Sequence, residues 1–199
     1  MQKTQLALFP LQLFLLPGET FKLHIFEERY RQLLADCESV QISFGIPYTE
    51  DGTLSGYGSL VQLKRVLSRK KNGSADIEVE AIGIFKVKRF FLRLGEKLYP
   101  GGDVEIVEPE NGSSVGQDLL DAFNTFLAKS ESLVSTEAFS ANLGLFDVAR
   151  MLKLEDSKKI NLLKLKTKEE RERFLLSEIK LRLLLLKQMN SVEHNIYLN

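Results

Sequence analysis

Leu8-Phe9-Pro10-Leu11, Phe14-Leu15-Leu16-Pro17-Gly18-Glu19 and Leu23-His24-Ile25-Phe26-Glu27-Glu28-Arg29-Tyr30-Arg31 set an apolar run, a Pro-Gly turn, a strand and a helix start in close succession. In Phe21-Lys22-Leu23-His24-Ile25 the apolar residues Phe21, Leu23 and Ile25 alternate with Lys22 and His24. A period of two is that of a strand with one buried face, so Phe21, Leu23 and Ile25 are expected on the core side. Immediately afterwards Tyr30, Leu33, Leu34 and Cys37 fall at i, i+3, i+4 and i+7. That spacing predicts a helix over Glu27 to Glu38, packed by one stripe on the open end or face of a sheet.

The same alternation recurs further along. Ile77, Val79 and Ala81 alternate with Asp76, Glu78 and Glu80, and Phe85 and Val87 with Lys86 and Lys88. Leu6 to about Val107 therefore reads as half-buried antiparallel strands. Asp51-Gly52 and Asn72-Gly73 tolerate positive φ and are expected in hairpin turns or connecting loops. Asn72-Gly73-Ser74 and Asn111-Gly112-Ser113 also match a glycosylation sequon, for which turn chemistry is the better account. Gly18 and Gly45 read as backbone positions where a side chain would hinder a turn or a close approach.

After the turn-rich segment Pro109 to Gly116 the hydrophobic period becomes helical, which divides the chain into a β-rich part at 1–110 and a helical part at 117–199. Leu119, Leu120, Phe123, Phe126 and Leu127 form one amphipathic stripe; Leu143, Phe146, Val148, Met151 and Leu152 belong to a second. A shorter helix is expected over Ser157 to Lys164. Thr167 and Glu170 form a Thr-x-x-Glu capping box at the start of a last helix running to about Met189. On it Phe174, Leu175, Ile179, Leu183 and Leu186 are expected inward.

Hydrophobic residues make up 44% and charged residues 27% of the 199, a globular balance that excludes a wholly disordered or fibrous chain. Twenty-seven basic residues oppose twenty-seven acidic ones, so no net field draws in a polyanion and nucleic acid is disfavoured as the main partner. The single cysteine, Cys37, rules out an intramolecular disulfide and suits a reducing compartment. Lys3 and the run Leu6 to Leu16 imitate a signal peptide, but Pro10 and Gln12 interrupt the run and no small-x-small cleavage site follows. Leu183 to Leu186 are flanked by Lys180, Arg182 and Lys187, far short of the ~20 apolar residues of a bilayer span. A cytoplasmic location without membrane contact is the expectation.

The opening stretch resembles the start of the Lon N-terminal domain family, in which an apolar strand ends in Leu-Pro-Gly, a second apolar strand follows, and a helix begins near Phe-Glu-x-Arg-Tyr, here Phe26-Glu27-Glu28-Arg29-Tyr30. Tyr57-Gly58-Ser59-Leu60-Val61, Val66, Gly73, Ile77-Glu78-Val79 and Gly83-Ile84-Phe85 are similar to that family's middle strands. The chain departs at the family's closing Gly-x-x-Arg-Phe element, since Ile84-Phe85-Lys86-Val87-Lys88 stands between Gly83 and Arg89-Phe90. In the helical half, Leu152-Lys153-Leu154, Glu155-Asp156-Ser157-Lys158-Lys159, Leu162-Leu163-Lys164-Leu165 and Glu170-Arg171 follow the family's order. The resemblance implies an α+β fold: an N-terminal PUA-like β pseudo-barrel with one inserted helix, followed by a C-terminal helical bundle. It also implies a stand-alone substrate-binding domain. Neither a Gly-x-x-x-x-Gly-Lys-Ser/Thr phosphate loop nor the Gly-Pro-Ser-Ala-Gly setting of the Lon nucleophile occurs in the 199 residues.

The residues offer little catalytic chemistry. His24 and His194 are the only histidines and neither belongs to a ligand-spaced cluster, so no metal site and no cofactor is expected. His24 reads as a strand histidine bonded to Glu27 or water, with a binding role as the alternative. Cys37 lies on the apolar helix stripe, where desolvation disfavours a thiolate. Glu27 and Arg29 are read as fixing the strand-to-helix junction through neighbouring backbone groups, with Tyr30 in the core and its hydroxyl at the surface. If the cluster binds anything, His24, Phe26, Glu27, Arg29 and Tyr30 are the candidate peptide contacts. Lys86, Lys88, Arg89 and Arg93 form a basic strip, with Arg69, Lys70 and Lys71 at a hairpin tip. Pairing of Lys86 and Lys88 with Glu78 and Glu80 on a neighbouring strand explains the strip more simply than RNA does.

The function expected on these grounds is a non-catalytic module that holds extended or apolar segments of polypeptide substrates, or a protein partner, in a groove between the β part and the helices. Its rivals are a peptidase, an RNA-binding PUA-like protein and a self-assembling structural protein. The oligomeric state is left open.

Overall fold

The structure is a computed structural model that describes residues 4–107, 114–130 and 143–196, with side chains described as far as residue 188. Asn111 to Ser113 and the His194 side chain lie outside the described residues. The chain divides into two compact units, Met1–Pro109 and Glu110–Asn199. It is a mixed α/β protein with a six-stranded antiparallel sheet and, among the described residues, five helices.

The first unit holds β1 (Thr4–Ala7), β2 (Thr20–Ile25), α1 (Glu28–Val40), β3 (Phe44–Glu50), β4 (Thr53–Arg69), β5 (Ala75–Phe91) and β6 (Gly101–Val107). Strand order is β1-β6-β5-β4-β3, and β2 pairs with β5 beside β6. The 17-residue β5 is the shared strand: its first half pairs with β2, its second half with β6, and residues 75–86 with β4. Beyond β1, Leu8 bridges Gly45 and Leu11 bridges Tyr48 in parallel fashion, joining the two ends of the strand order.

The expected apolar strand through Leu16 is shorter than its composition suggests. Regular pairing stops at Ala7, and Leu8 to Leu16 pass through the core as irregular chain. Ser59 explains how such a segment is buried, because its fully buried hydroxyl donates to the Leu15 carbonyl and accepts the Leu15 N–H, both at 2.8 Å. At Leu15 a side chain thus takes the place of a strand partner, while the N–H groups of Leu8, Phe9 and Leu11 donate to the carbonyls of Pro100, Gly45 and Pro47. Gly18 then turns the chain at φ 85° into β2. Gly45 is the close approach expected of it, since an added Cβ would lie 2.7 Å from both Leu8 and the Phe85 ring.

Turn chemistry follows the sequence. Asp51 (φ 49°) and Gly52 (φ 76°) form a two-residue link between β3 and β4, and Gly73 (φ 82°) lies in the β4–β5 turn. Helix α1 buries Tyr30, Leu33, Leu34 and Cys37, the stripe read from its spacing. Its polar side is also tied down. Gln32 accepts the Leu98 N–H at 2.7 Å, Asp36 receives Lys97 at 2.8 Å and the Tyr99 hydroxyl at 2.7 Å, Arg31 donates to the Asn72 carbonyl at 3.0 Å, and Arg69 pairs with Glu38. The bonds from Lys97 and then Tyr99 hold the Asp36 carboxyl below its ordinary range. Burial, followed by the bond to Asp36, raises the Tyr99 hydroxyl.

Two readings need correction. Phe21 is 43% exposed, although Leu23 and Ile25 on the same face are buried and its cross-strand partner Val79 lies in the main core, so sharing the core face is not enough to cover its ring. Glu78 and Glu80 lie on β5 itself, the strand of Lys86 and Lys88, and cannot pair with them across strands. Lys88 instead meets Glu105 of β6 at 2.5 Å, while Glu78 receives Arg65 of β4 at 2.7 Å.

The second unit holds α2 (Gln117–Lys129), α3 (Leu145–Met151), α4 (Asp156–Lys164) and α5 (Lys168–Ile196). Leu119 and Phe123 are buried on α2, Leu145, Val148 and Ala149 on α3, Ile160, Leu162 and Leu163 on α4, and Leu175 and Ile179 on α5. Phe146, Met151, Phe174, Leu183 and Leu186 are only half-buried. The α5 start is the capping box read from the sequence: Thr167 Oγ1 accepts the Glu170 N–H at 3.2 Å, and Glu170 accepts the Thr167 N–H at 3.2 Å and that of Lys166 at 2.9 Å.

Candidate functional site

The candidate residues sit where β2 ends and α1 begins. β2 has β5 on one side, and among the described residues no strand pairs with its other edge. The β2–β5 register runs without interruption from Thr20↔Glu80 to Ile25↔Ala75. Across β5, the part of β4 beyond Val61 also lacks a second strand partner, but there the register slips between Leu63 and Arg65 and again between Val66 and Ser68. Bulges and cations such as Lys64, Arg65 and Arg69 blunt an edge against strand addition. Of these two edges, β2 is the one that remains regular.

His24 does not bond Glu27 as the sequence reading supposed. Its Nδ1 lies 2.6 Å from Asp76 Oδ1 on β5, and Ser68 of β4 donates to the other oxygen at 2.6 Å. The Ser68 bond first, then His24, hold the Asp76 carboxyl below its ordinary range. Phe26 is 63% exposed and its ring stacks near His24, centroids 5.9 Å apart. Glu27 precedes α1 and offers its carbonyl to the N–H groups of Tyr30 and Arg31, while its carboxylate takes Arg29 Nε at 2.9 Å. The backbone part of the expected junction is thus made by the Glu27 carbonyl, and the two side chains pair with each other.

Tyr30 is buried under this surface. Phe9 stacks on it at 3.8 Å between centroids, and the Arg29 guanidinium lies 4.7 Å above its ring. Burial raises its hydroxyl above the ordinary value. The structure therefore brings His24 and Phe26 together at the surface, pairs Glu27 with Arg29 beside them, and sets Tyr30 beneath. Lys22, exposed on the same face of β2 as His24, extends this surface, and Phe21 is exposed on the opposite face; neither is singled out as a contact by the sequence. For Phe21 the alternation with Leu23 and Ile25 pointed the other way. Asp76 and Ser68 are brought in by pairing between distant strands, for which a single sequence carries no signal.

The arrangement contains no nucleophile–base pair. Asp76, the group that receives both Ser68 and His24, is an acceptor between two donors. Cys37 is buried, and burial pushes its thiol up to about 12, far from thiolate chemistry at neutral pH. Among the described residues no group of three or more His, Cys, Asp or Glu side chains is arranged to hold a metal, and no helix is long and apolar enough to cross a membrane.

An antiparallel sheet in which β2 offers an uninterrupted edge, with an inserted helix beside it, is the frame of the candidate site. The profile of the ATP-dependent protease La (LON) substrate-binding domain matches residues 5–181, and the chain belongs to that family. The crystal structure of a Lon N-terminal domain protein from Xanthomonas campestris is similar over 87% of this chain and 98% of that one, with 26% identity and a TM-score of 0.67. The N-terminal domain of a Mycobacterium avium complex Lon protease is similar over 89% of this chain and 98% of that one, with a TM-score of 0.62; at 13% identity this is a likeness of fold. No curated protein sequence matches the chain.

Proposed function

We propose that the protein is a non-catalytic polypeptide-binding module that recognises substrates in an extended conformation, adding them as a further strand to the outer edge of β2. The observation that carries this reading is the uninterrupted, one-sided β2 ladder, flanked by exposed Phe21 and Phe26. Main-chain N–H and C=O groups along such an edge give affinity independent of sequence, and neighbouring side chains give selectivity. His24 and Phe26 are the proposed contacts, Glu27 and Arg29 border them, and Tyr30 supports them from below. Membership of a family of substrate-binding domains supports the same reading.

The finer architecture belongs to this proposal. The Leu8 and Leu11 bridges support a PUA-like pseudo-barrel, and the packed cores of α2 to α5 support a helical bundle serving as a second domain over 117–199. A cytoplasmic module that passes bound chains to a protease suits this organisation.

Hydrogen–deuterium exchange tests the site. Micromolar binding of an unfolded polypeptide is expected to slow exchange over residues 20–26, leaving residues 75–80 of β5, already paired on both sides by β2 and β4, unchanged. Binding without protection of β2 would refute the edge, and cleavage of the polypeptide that follows the purified chain would refute a non-catalytic role.

A further inference from the structure

The charges around β2 specify what kind of strand it accepts, an inference that rests on the edge-binding reading above. In register across the sheet, His24, Lys22 and Thr20 of β2 face Asp76, Glu78 and Glu80 of β5. On the far side of β5, Ser68 donates to Asp76, Arg65 lies 2.7 Å from Glu78, and Lys64 lies 4.0 Å from Glu80. The solvent face therefore reads cationic on β4 at Arg65 and Lys64, anionic on β5, and cationic on β2 at Lys22. The β5 carboxylates are already engaged from the β4 side, and among the described residues Lys22 has no ion pair. The next strand in this series would stand directly beside Lys22 and His24. Opposite charges facing one another across strands stabilise a sheet, and like charges destabilise it. On the other face the exposed Phe21 ring offers apolar surface to the same incoming strand.

We infer that the preferred ligand is an extended peptide segment whose alternate residues are carboxylates on its solvent face and apolar on the face that meets Phe21. A nucleic acid is the poorer fit, because it lacks a main chain to complete the ladder and would lie one strand from three carboxylates.

The test uses the full chain and fluorescein-labelled Val-Glu-Val-Glu-Val-Glu-Val, its Ser and Lys counterparts, and an N-methylated form of the Glu peptide, measured by fluorescence anisotropy at physiological salt. The Glu peptide is expected to bind at least about threefold tighter than the Ser peptide and tighter still than the Lys peptide. N-methylation should abolish binding. Lys22→Glu should reverse the order of the Glu and Lys peptides; if that variant does not fold, Lys22→Ala should narrow the gap between them. Equal affinity for Glu and Ser peptides, with N-methylation still abolishing binding, would overturn the charge preference and leave strand addition standing. Unimpaired binding of the N-methylated peptide, or no binding by any peptide, would overturn strand addition itself. Displacement of the Glu peptide by oligouridylate at equal concentration would assign the surface to nucleic acid and overturn the inference.

Discussion

Replacing Ser59 by alanine strips two backbone groups of their partner at once. The Ser59 side chain is fully buried, Leu15 is 4% exposed, and the hydroxyl serves both the Leu15 N–H and the Leu15 carbonyl at 2.8 Å. A buried backbone group left unpaired costs about 1–3 kcal/mol, and removing the hydroxyl itself returns part of that, so the expected loss is about 2–4 kcal/mol. For a unit of this size that corresponds to a fall of about 8 °C or more in thermal midpoint. Urea denaturation followed by circular dichroism gives the energy, and hydrogen exchange at the Leu15 amide gives the site. Ser59→Cys, with a weaker donor and acceptor, should fall between wild type and alanine. A Ser59→Ala protein within about 0.5 kcal/mol of wild type, its Leu15 amide still protected, would show that these groups find other partners and that the serine does not hold the irregular segment in place.

Gly58→Ala drives a Cβ into the Phe85 ring and to 2.8 Å from the Ile46 carbonyl oxygen, so a loss of about 1–3 kcal/mol is expected in the same denaturation assay. Asp36→Asn should change the response to acid. Because the Asp36 carboxyl is lowered in the folded state, its contribution is present above the ordinary carboxylate value and is lost as pH falls through the folded value; the wild-type advantage over the variant should shrink across that window in pH-dependent melts. Cys37, with its thiol pushed up to about 12 by burial, should react with a thiol reagent at pH 8 far more slowly in the native protein than in urea. Thr167→Ala removes the side chain that accepts the Glu170 N–H and should cost about 1 kcal/mol of stability in the helical unit.

Local chemistry carried most of the fold that could be read in advance. The α1 stripe, the Asp51-Gly52 link and the Thr167–Glu170 box each depend on residues within eight positions of one another, and each stands where its spacing placed it. What escaped depends on distant neighbours. Leu8 to Leu16 look like a strand because they are apolar, yet a serine more than forty residues away satisfies Leu15 and frees the segment from regular pairing. Phe21 keeps the parity of Leu23 and Ile25 and still emerges, because burial is decided by what lies above a residue as well as by the face it occupies. His24 was assigned the nearest acid in sequence, whereas the sheet register supplies Asp76. Much of the proposed binding surface is hidden for the same reason, since an edge strand is defined by a neighbour that is missing.

The pairing of β1 with β6 sets Thr4 opposite Val104. During synthesis, at about 5–20 residues per second, the first strand must wait roughly 5–20 s for its partner to be made. Throughout that interval the apolar Leu6 to Leu16 has neither β6 nor, at first, Ser59 to cover it. The nascent chain therefore presents an uncovered apolar segment of its own, of the kind that a chaperone recognises, until its sheet can close.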